Sequence, residues 1–276
     1  MSSTPVEPGI AAGGGHHGEV DGKLDRAAVT TALEKAGCVA AGDEAEELFA
    51  AADGDAELAR LLARRVTGEP LAWVTGRTTF CGLDVAVAPG VYVPRWQSEP
   101  LAELAAQLLA PNGHAVDLCT GAGAIAMVLH SARPAAHVVG TEIDPLAAAC
   151  ARGNGITVYE GNLDEPLPAG LASQVDVMVG VVPYVPDKAL HLLPRDVQHF
   201  EPRAALDGGE GGVALVAAAV ARSPRWMKRG GWLLLEVGGD QVAGVTAMFT
   251  ASGYRDIAVL EDEDGDPRGI YGRWDP

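Results

Sequence analysis

Positive charge is scarce and nowhere clustered: 20 Lys and Arg stand against 37 Asp and Glu, for a formal net charge of −17. Such a field repels phosphate backbones, and no basic run builds a local patch against it. Nucleic acid is therefore not an expected partner, and a cationic one is favoured. The four cysteines, Cys38, Cys81, Cys119 and Cys150, lie far apart with no CxxC pair. That spacing suggests neither a zinc site nor a disulfide framework, and it suits a reducing cytoplasm. No apolar run reaches the length of a membrane span, and the N-terminus lacks the charged and apolar regions of a secretory signal. What is present is 276 residues, 48% hydrophobic, enough to bury a full core as one large domain or as one domain with a small companion.

The chain is organised around residues 115–145, AVDLCTGAGAIAMVLHSARPAAHVVGTEIDP. An apolar strand ends near Asp117, a turn with Gly121 and Gly123 follows, a helical stretch runs through Ile125 to Leu129, and a second strand ends at Glu142. Glycines there let the backbone turn sharply and let a ligand approach the N–H groups opening the helix. Glu142, 25 residues after Asp117, is placed to accept from a ribose diol. The turn reads D-x-x-x-G-x-G, and residue 126 is Ala where a dinucleotide fingerprint has its third glycine. This variant resembles the S-adenosylmethionine site of Rossmann-like methyltransferases.

Residues 1–22 are rich in Gly and Pro without periodicity and predict a tail, in which His16 and His17 are expected to be inert. From 23 to 76 the pattern predicts a small helical domain: Asp25 caps a helix with Val29 and Leu33, a second carries Leu48 and Phe49, and a third carries Leu58, Leu61 and Leu62. Residues 77–99 predict a β-hairpin linker, its strands at 80–87 and 90–93 closed around Pro89-Gly90. From 100 to 276 strand and helix alternate, which predicts a parallel sheet covered on both faces, with ligands at the carboxyl ends of the strands. The last two apolar runs, 257–260 and 269–274, predict an antiparallel hairpin.

Four segments resemble one known family over most of the chain. GEPLAWVTG leading into FCGLDVAVAPGVYVPRWQSE is similar to its linker with a P-R-x-x-[ST]-E ending; DLCTGAGAIA, EPRAALDGGEGG and GGWLLLEVGGDQ are similar to its cofactor loop, the segment after its fourth strand and its fifth strand. The family is that of HemK/PrmC-type N5-glutamine methyltransferases, which methylate a glutamine of peptide-chain release factors. The resemblance implies a seven-stranded, Rossmann-like α/β methyltransferase domain behind a helical N-terminal domain. It implies S-adenosylmethionine as cofactor, held by Asp117, Cys119, Thr120, Gly121, Gly123, Glu142, Ile143, Asn162, Leu163 and Val181, and no metal. Asn162 stands where the family usually has Asp.

The family's N-P-P-Y, whose Asn holds the acceptor amide, reads Val181-Val182-Pro183-Tyr184 here. Val accepts no hydrogen bond, and an amide nitrogen is a poor nucleophile that must be oriented. The favoured expectation is therefore an enzyme re-aimed at a small-molecule guanidine or amine, with free arginine as the sharpest form. Pro183, Tyr184 and Val181 would form its acceptor site, and carboxylates drawn from Glu99, Asp187, Asp196 and Glu201 would orient the nitrogen. The alternatives are retained methylation of a release-factor glutamine, with a backbone carbonyl and water replacing the Asn, and cofactor binding without catalysis.

Overall fold

The computed structural model describes residues 24–276. The tail expected at 1–22, with His16 and His17, lies outside the described residues. The chain opens in helices because short apolar stripes recur at helical spacing between capping residues. Helix α1 (Arg26–Lys35) starts where the Asp25 carboxylate accepts from the Ala28 N–H at 2.8 Å. With α2 (Ala41–Ala51) and α3 (Asp55–Arg65) it encloses a small core around Val29, Leu33, Leu48 and Leu61. Arg65 on α3 clasps Glu44 on α2 through both carboxylate oxygens, at 2.6 and 3.0 Å.

The stretch after this core departs from the strand-like reading. Residues 71–75 form a short helix, α4 (Leu71–Thr75), which ends at Gly76 in the left-handed conformation with φ 81°. Four consecutive apolar residues carry no period, so helix and strand could not be told apart there. The helix joins two cores: Val74 packs into the small one and Trp73 into the large one. The hairpin follows as β1 (Arg77–Phe80) and β2 (Leu83–Ala86), with Phe80 opposite Leu83. Its turn is Cys81-Gly82 and not Pro89-Gly90, because both turn residues take positive φ, 47° and 73°, which matches the twist of a two-residue hairpin. Residues 91–95 belong to no strand.

Helix α5 (Glu99–Leu108) leads into the sheet, built in order from β3 (His114–Leu118), α6 (Ala124–Ala132), β4 (His137–Glu142), α7 (Pro145–Gly153), β5 (Thr157–Glu160) and β6 (Val175–Gly180). After β6 come α8 (Arg195–Phe200), α9 (Ala214–Arg222), β7 (Met227–Leu235), α10 (Val242–Ala251), β8 (Tyr254–Glu261) and β9 (Pro267–Trp274). The seven strands order as β5-β4-β3-β6-β7-β9-β8, parallel through β7, with β9 antiparallel to both its neighbours. Successive strand residues serve opposite faces: Ala115, Val177 and Leu234 enter the core under α5 and α6, while Val116, Met178 and Leu233 enter the core under α9 and α10. The strand order reverses between β3 and β6, so their carboxyl ends open a crevice. Among the described residues no helix is long and apolar enough to cross a membrane.

Trp73 ties the first helices to this crevice. Its buried Nε1 donates to the Val91 carbonyl at 2.9 Å, and its ring meets Phe200 of α8 edge-on at 6.3 Å between centroids. Trp73→Phe leaves that carbonyl without its donor and is expected to cost about 1–3 kcal/mol. The check is a lower urea midpoint at an unchanged denaturant slope.

Candidate functional site

At the end of β3 the backbone turns through Cys119, Gly121 and Gly123, all at positive φ of 54°, 57° and 85°. Asp117, 1% exposed, braces the turn from beneath: its Oδ2 accepts from Thr120 Oγ1 at 2.5 Å and from the Ala126 N–H at 3.2 Å. Burial drives the Asp117 carboxyl up to about 7, against the opposite pull of those two hydrogen bonds. Gly123 is required twice over, since a Cβ there would stand 3.1 Å from Ala151 and Ile156 in a conformation L side chains rarely adopt.

Glu142 at the end of β4 is clamped by three backbone N–H groups. Its Oε2 accepts from Gly121 at 2.9 Å, and its Oε1 accepts from Ile143 at 2.8 Å and Asp144 at 2.9 Å. A carboxylate offers about four lone-pair positions, so roughly one is left for a ligand. The turn and this carboxylate border a cavity of about 270 Å³. Asp117, Cys119, Thr120, Gly121 and Glu142 lie on its wall, as do Ile143, Asn162, Leu163 and Val181. Gly123 does not: it lies under the turn, where it lets α6 close on α7 and β5.

A second chamber of about 690 Å³ opens beyond a partition made by Tyr92 and Arg95, which face both spaces. The segment after β6 straddles the partition. Val181 and Pro183 face the first chamber, Tyr184 faces the second, and Val182 is fully buried between Leu118 and the α9 side of the core. Glycines hold this segment from behind. A Cβ on Gly208 would stand 2.7 Å from the Pro183 carbonyl oxygen, and one on Gly212 would stand 2.0 Å from that of Tyr184. Gln241 Nε2 donates to the Tyr184 carbonyl at 2.9 Å and to that of Gly211 at 3.0 Å. The glycines of EPRAALDGGEGG are thus a bed for the segment at 181–184.

Two carboxylates expected to hold an acceptor are engaged elsewhere. Glu99 Oε1 accepts from the Cys81 N–H at 2.9 Å and so braces the hairpin turn. Glu201, with a side chain 1% exposed, pairs with Arg95. Burial pushes its carboxyl up while Arg95 pulls it down. Neither lines either chamber. Asp187 folds back onto the Lys188 N–H at 2.8 Å, and Asp196 alone of the four borders the second chamber. The carboxylate that does border it with Tyr184 is Glu236, which accepts from Tyr184 OH at 2.8 Å and from Ser98 Oγ at 2.5 Å. Burial raises Glu236, opposed by those hydroxyls and by Arg268. Sequence reading passed over Glu236, Ser98 and Gln241. The available signal was an acid closing the apolar run WLLLEV, at the carboxyl end of a parallel strand. Trp96 is not packed between layers: it stands 63% exposed at the rim, with the Arg268 guanidinium 5.5 Å from its ring centroid. Among the described residues no three His, Cys, Asp or Glu side chains gather as a metal site.

The chain is similar to the release factor glutamine methyltransferase of Geobacter sulfurreducens, at 39% identity over 77% of this chain and 76% of that protein. The enzyme of the same name from Vibrio cholerae serotype O1 is 36% identical over 79% of this chain and 78% of its own. A solved release factor-specific protein-(glutamine-N5) methyltransferase from Alicyclobacillus acidocaldarius aligns with 67% of this chain and 95% of its own, at 22% identity and a TM-score of 0.43. No family model matches the chain. The relatives overturn the expectation of a small-molecule acceptor, free arginine included: both are named for a release factor glutamine. The geometry agrees, because Glu99 and Glu201, enlisted to orient a guanidine, are spent on the hairpin and on Arg95.

Gly212→Ala drives a Cβ into the Tyr184 carbonyl at a φ of 70°. The expected loss is about 2–5 kcal/mol from backbone strain and overpacking. Denaturant unfolding measures it, and Gly42→Ala, with open space around its Cβ, serves as the control.

Proposed function

The chain belongs to the release factor glutamine methyltransferase family and is a methyltransferase, and from that premise we propose that it moves a methyl group from S-adenosylmethionine to a glutamine side-chain nitrogen of a release factor. The observation that carries this reading is 39% identity to such an enzyme across three quarters of both chains. The two-chamber site supports it.

The first chamber has the donor set such a cofactor needs. Glu142 has a lone-pair position to spare for a ribose hydroxyl, Ile143 and Leu163 are apolar covers for a flat base, Asn162 can accept and donate beside it, and Asp117 can pair with an ammonium. When bound, the cofactor supplies a methyl group on a positively charged sulfur, open to in-line displacement by nitrogen. The protein's task is to bring an amide nitrogen into line with it, since orientation supplies most of the rate for so weak a nucleophile. Residues 181–184 are placed for that: Pro183 faces the cofactor chamber, Tyr184 presents its ring to the other, and the glycine bed keeps both still. Tyr92 and Arg95, the latter anchored by Glu201, separate the cofactor from the open second chamber. In this reading residues 100–276 form the catalytic domain, 77–99 its linker, and the helices of 23–76 a small domain that helps to receive the protein substrate. Four unpaired thiols fit a reducing cytoplasm as its location.

Purified enzyme, labelled S-adenosylmethionine and a release factor are expected to give label on one glutamine, located by mass spectrometry of the digest. Label on free arginine or an amine with none on the release factor overturns the reading. Glu142→Ala is expected to weaken cofactor binding about 10- to 100-fold, the effect of deleting a charged hydrogen-bond acceptor.

Asp117 makes cofactor binding pH-dependent. Its folded pKa of about 7 lies above the ordinary 3.8, so the stability it lends the free protein is complete below 3.8 and is lost as pH rises through about 7. Pairing with an ammonium requires the ionised form. Calorimetry is therefore expected to show affinity rising roughly ten-fold from pH 5.5 to pH 7, a rise that Asp117→Asn abolishes.

A further inference from the structure

One polar atom on the wall of the second chamber is unspent. Gln97 sits in the single turn Trp96–Ser98 that precedes α5, and its Oε1 is buried with no hydrogen-bond partner among the described residues. Buried acceptors are nearly always satisfied, so one left open beside a cavity calls for a ligand. The neighbouring polar groups are already committed. Tyr184 and Ser98 donate to Glu236, Arg268 donates to Asp262 at 2.7 Å, and Arg95 holds Glu201.

The turn that carries Gln97 is held on its far side. Ser98 is bound to Glu236, and the next residue, Glu99, is bound to the hairpin turn at Cys81. Little ordering remains to be done when a ligand arrives. A carboxamide oxygen is a neutral acceptor, and its natural complement is a neutral N–H such as that of a peptide group or a side-chain amide. Position 181 offers no acceptor, because valine stands there and lines the adjoining chamber. A second source of hydrogen-bond acceptance for an amide substrate is therefore needed close by.

We infer that Gln97 is a specificity-determining residue whose Oε1 accepts an N–H of the polypeptide segment that carries the methyl-accepting side chain. The inference rests on the release-factor reading above and adds to it the residue that reads the substrate chain. Gln97 acts on binding and alignment of the acceptor. It takes no part in the cofactor chamber, whose wall does not include it.

The test compares wild type, Gln97→Met and Gln97→Glu in the full-length protein, with a release factor and labelled S-adenosylmethionine. Methionine keeps the length and removes the acceptor; glutamate restores an oxygen at the same reach. The expected result is a KM for the release factor raised about 3- to 10-fold in Gln97→Met, the loss of one hydrogen bond. Cofactor affinity and the urea midpoint are expected to stay unchanged, and Gln97→Glu to recover the KM to within about 2-fold of wild type. An unchanged KM in Gln97→Met overturns the inference while leaving the release-factor reading intact. Equal loss in both variants, accompanied by weaker cofactor binding or a lower urea midpoint, also overturns it, by showing a structural role. Wild type that fails to label the release factor at all brings down the release-factor reading and the inference with it, before any variant is made.

Discussion

A carboxylate taken out of water must be surrounded by donors, and at Glu236 that requirement organises the site. The side chain closes β7, and its two oxygens draw a hydroxyl from each of two distant segments, Ser98 in the turn before α5 and Tyr184 in the loop after β6. One buried charge thereby sets three pieces of backbone against one another. The linker cannot shift relative to the sheet, nor the acceptor loop relative to the linker, without leaving a carboxylate unpaired.

Three strand ends carry acids, and their surroundings differ. Glu142 is met by three backbone N–H groups, which fix its position. Asp117 is met by one hydroxyl and one N–H in a fully buried setting, and burial wins, lifting it to about 7. Glu236 is met by two hydroxyls, and it too is raised by burial. A rigid anchor for a diol, a carboxyl poised to ionise near neutrality and a structural tie thus arise from one residue class through the donors each finds.

The segment at 181–184 shows how a site can change one side chain and keep its shape. Its conformation depends on what lies behind it, where Gly208 and Gly212 leave room for carbonyl oxygens and Gln241 binds one of them. None of those contacts involves the side chain at 181. Valine there alters what the wall offers a ligand while the path of the backbone is held by other residues.

Much of this was legible along the chain, because it follows from local rules. Strand and helix alternation comes from short-range periodicity, and the turn after Asp117 is announced by Gly121 and Gly123, so the sheet and the placement of nine residues on one cavity wall could be read before any coordinates. The hairpin turn was misplaced because Cys81 takes a positive φ that cysteine does not advertise, while Pro89-Gly90 is a stronger local turn signal. The fates of the acids were hidden for a different reason. Glu201 finds Arg95 across 106 residues, Glu236 finds Ser98 across 138, and nothing in the neighbourhood of either acid names its partner. The sequence alone thus determined the fold class and the cofactor-type turn, since both are written in spacings of a few residues. Only the tertiary structure decided which carboxylates are spent on the scaffold and which polar atoms remain for a substrate, because pairing depends on which segments folding brings together.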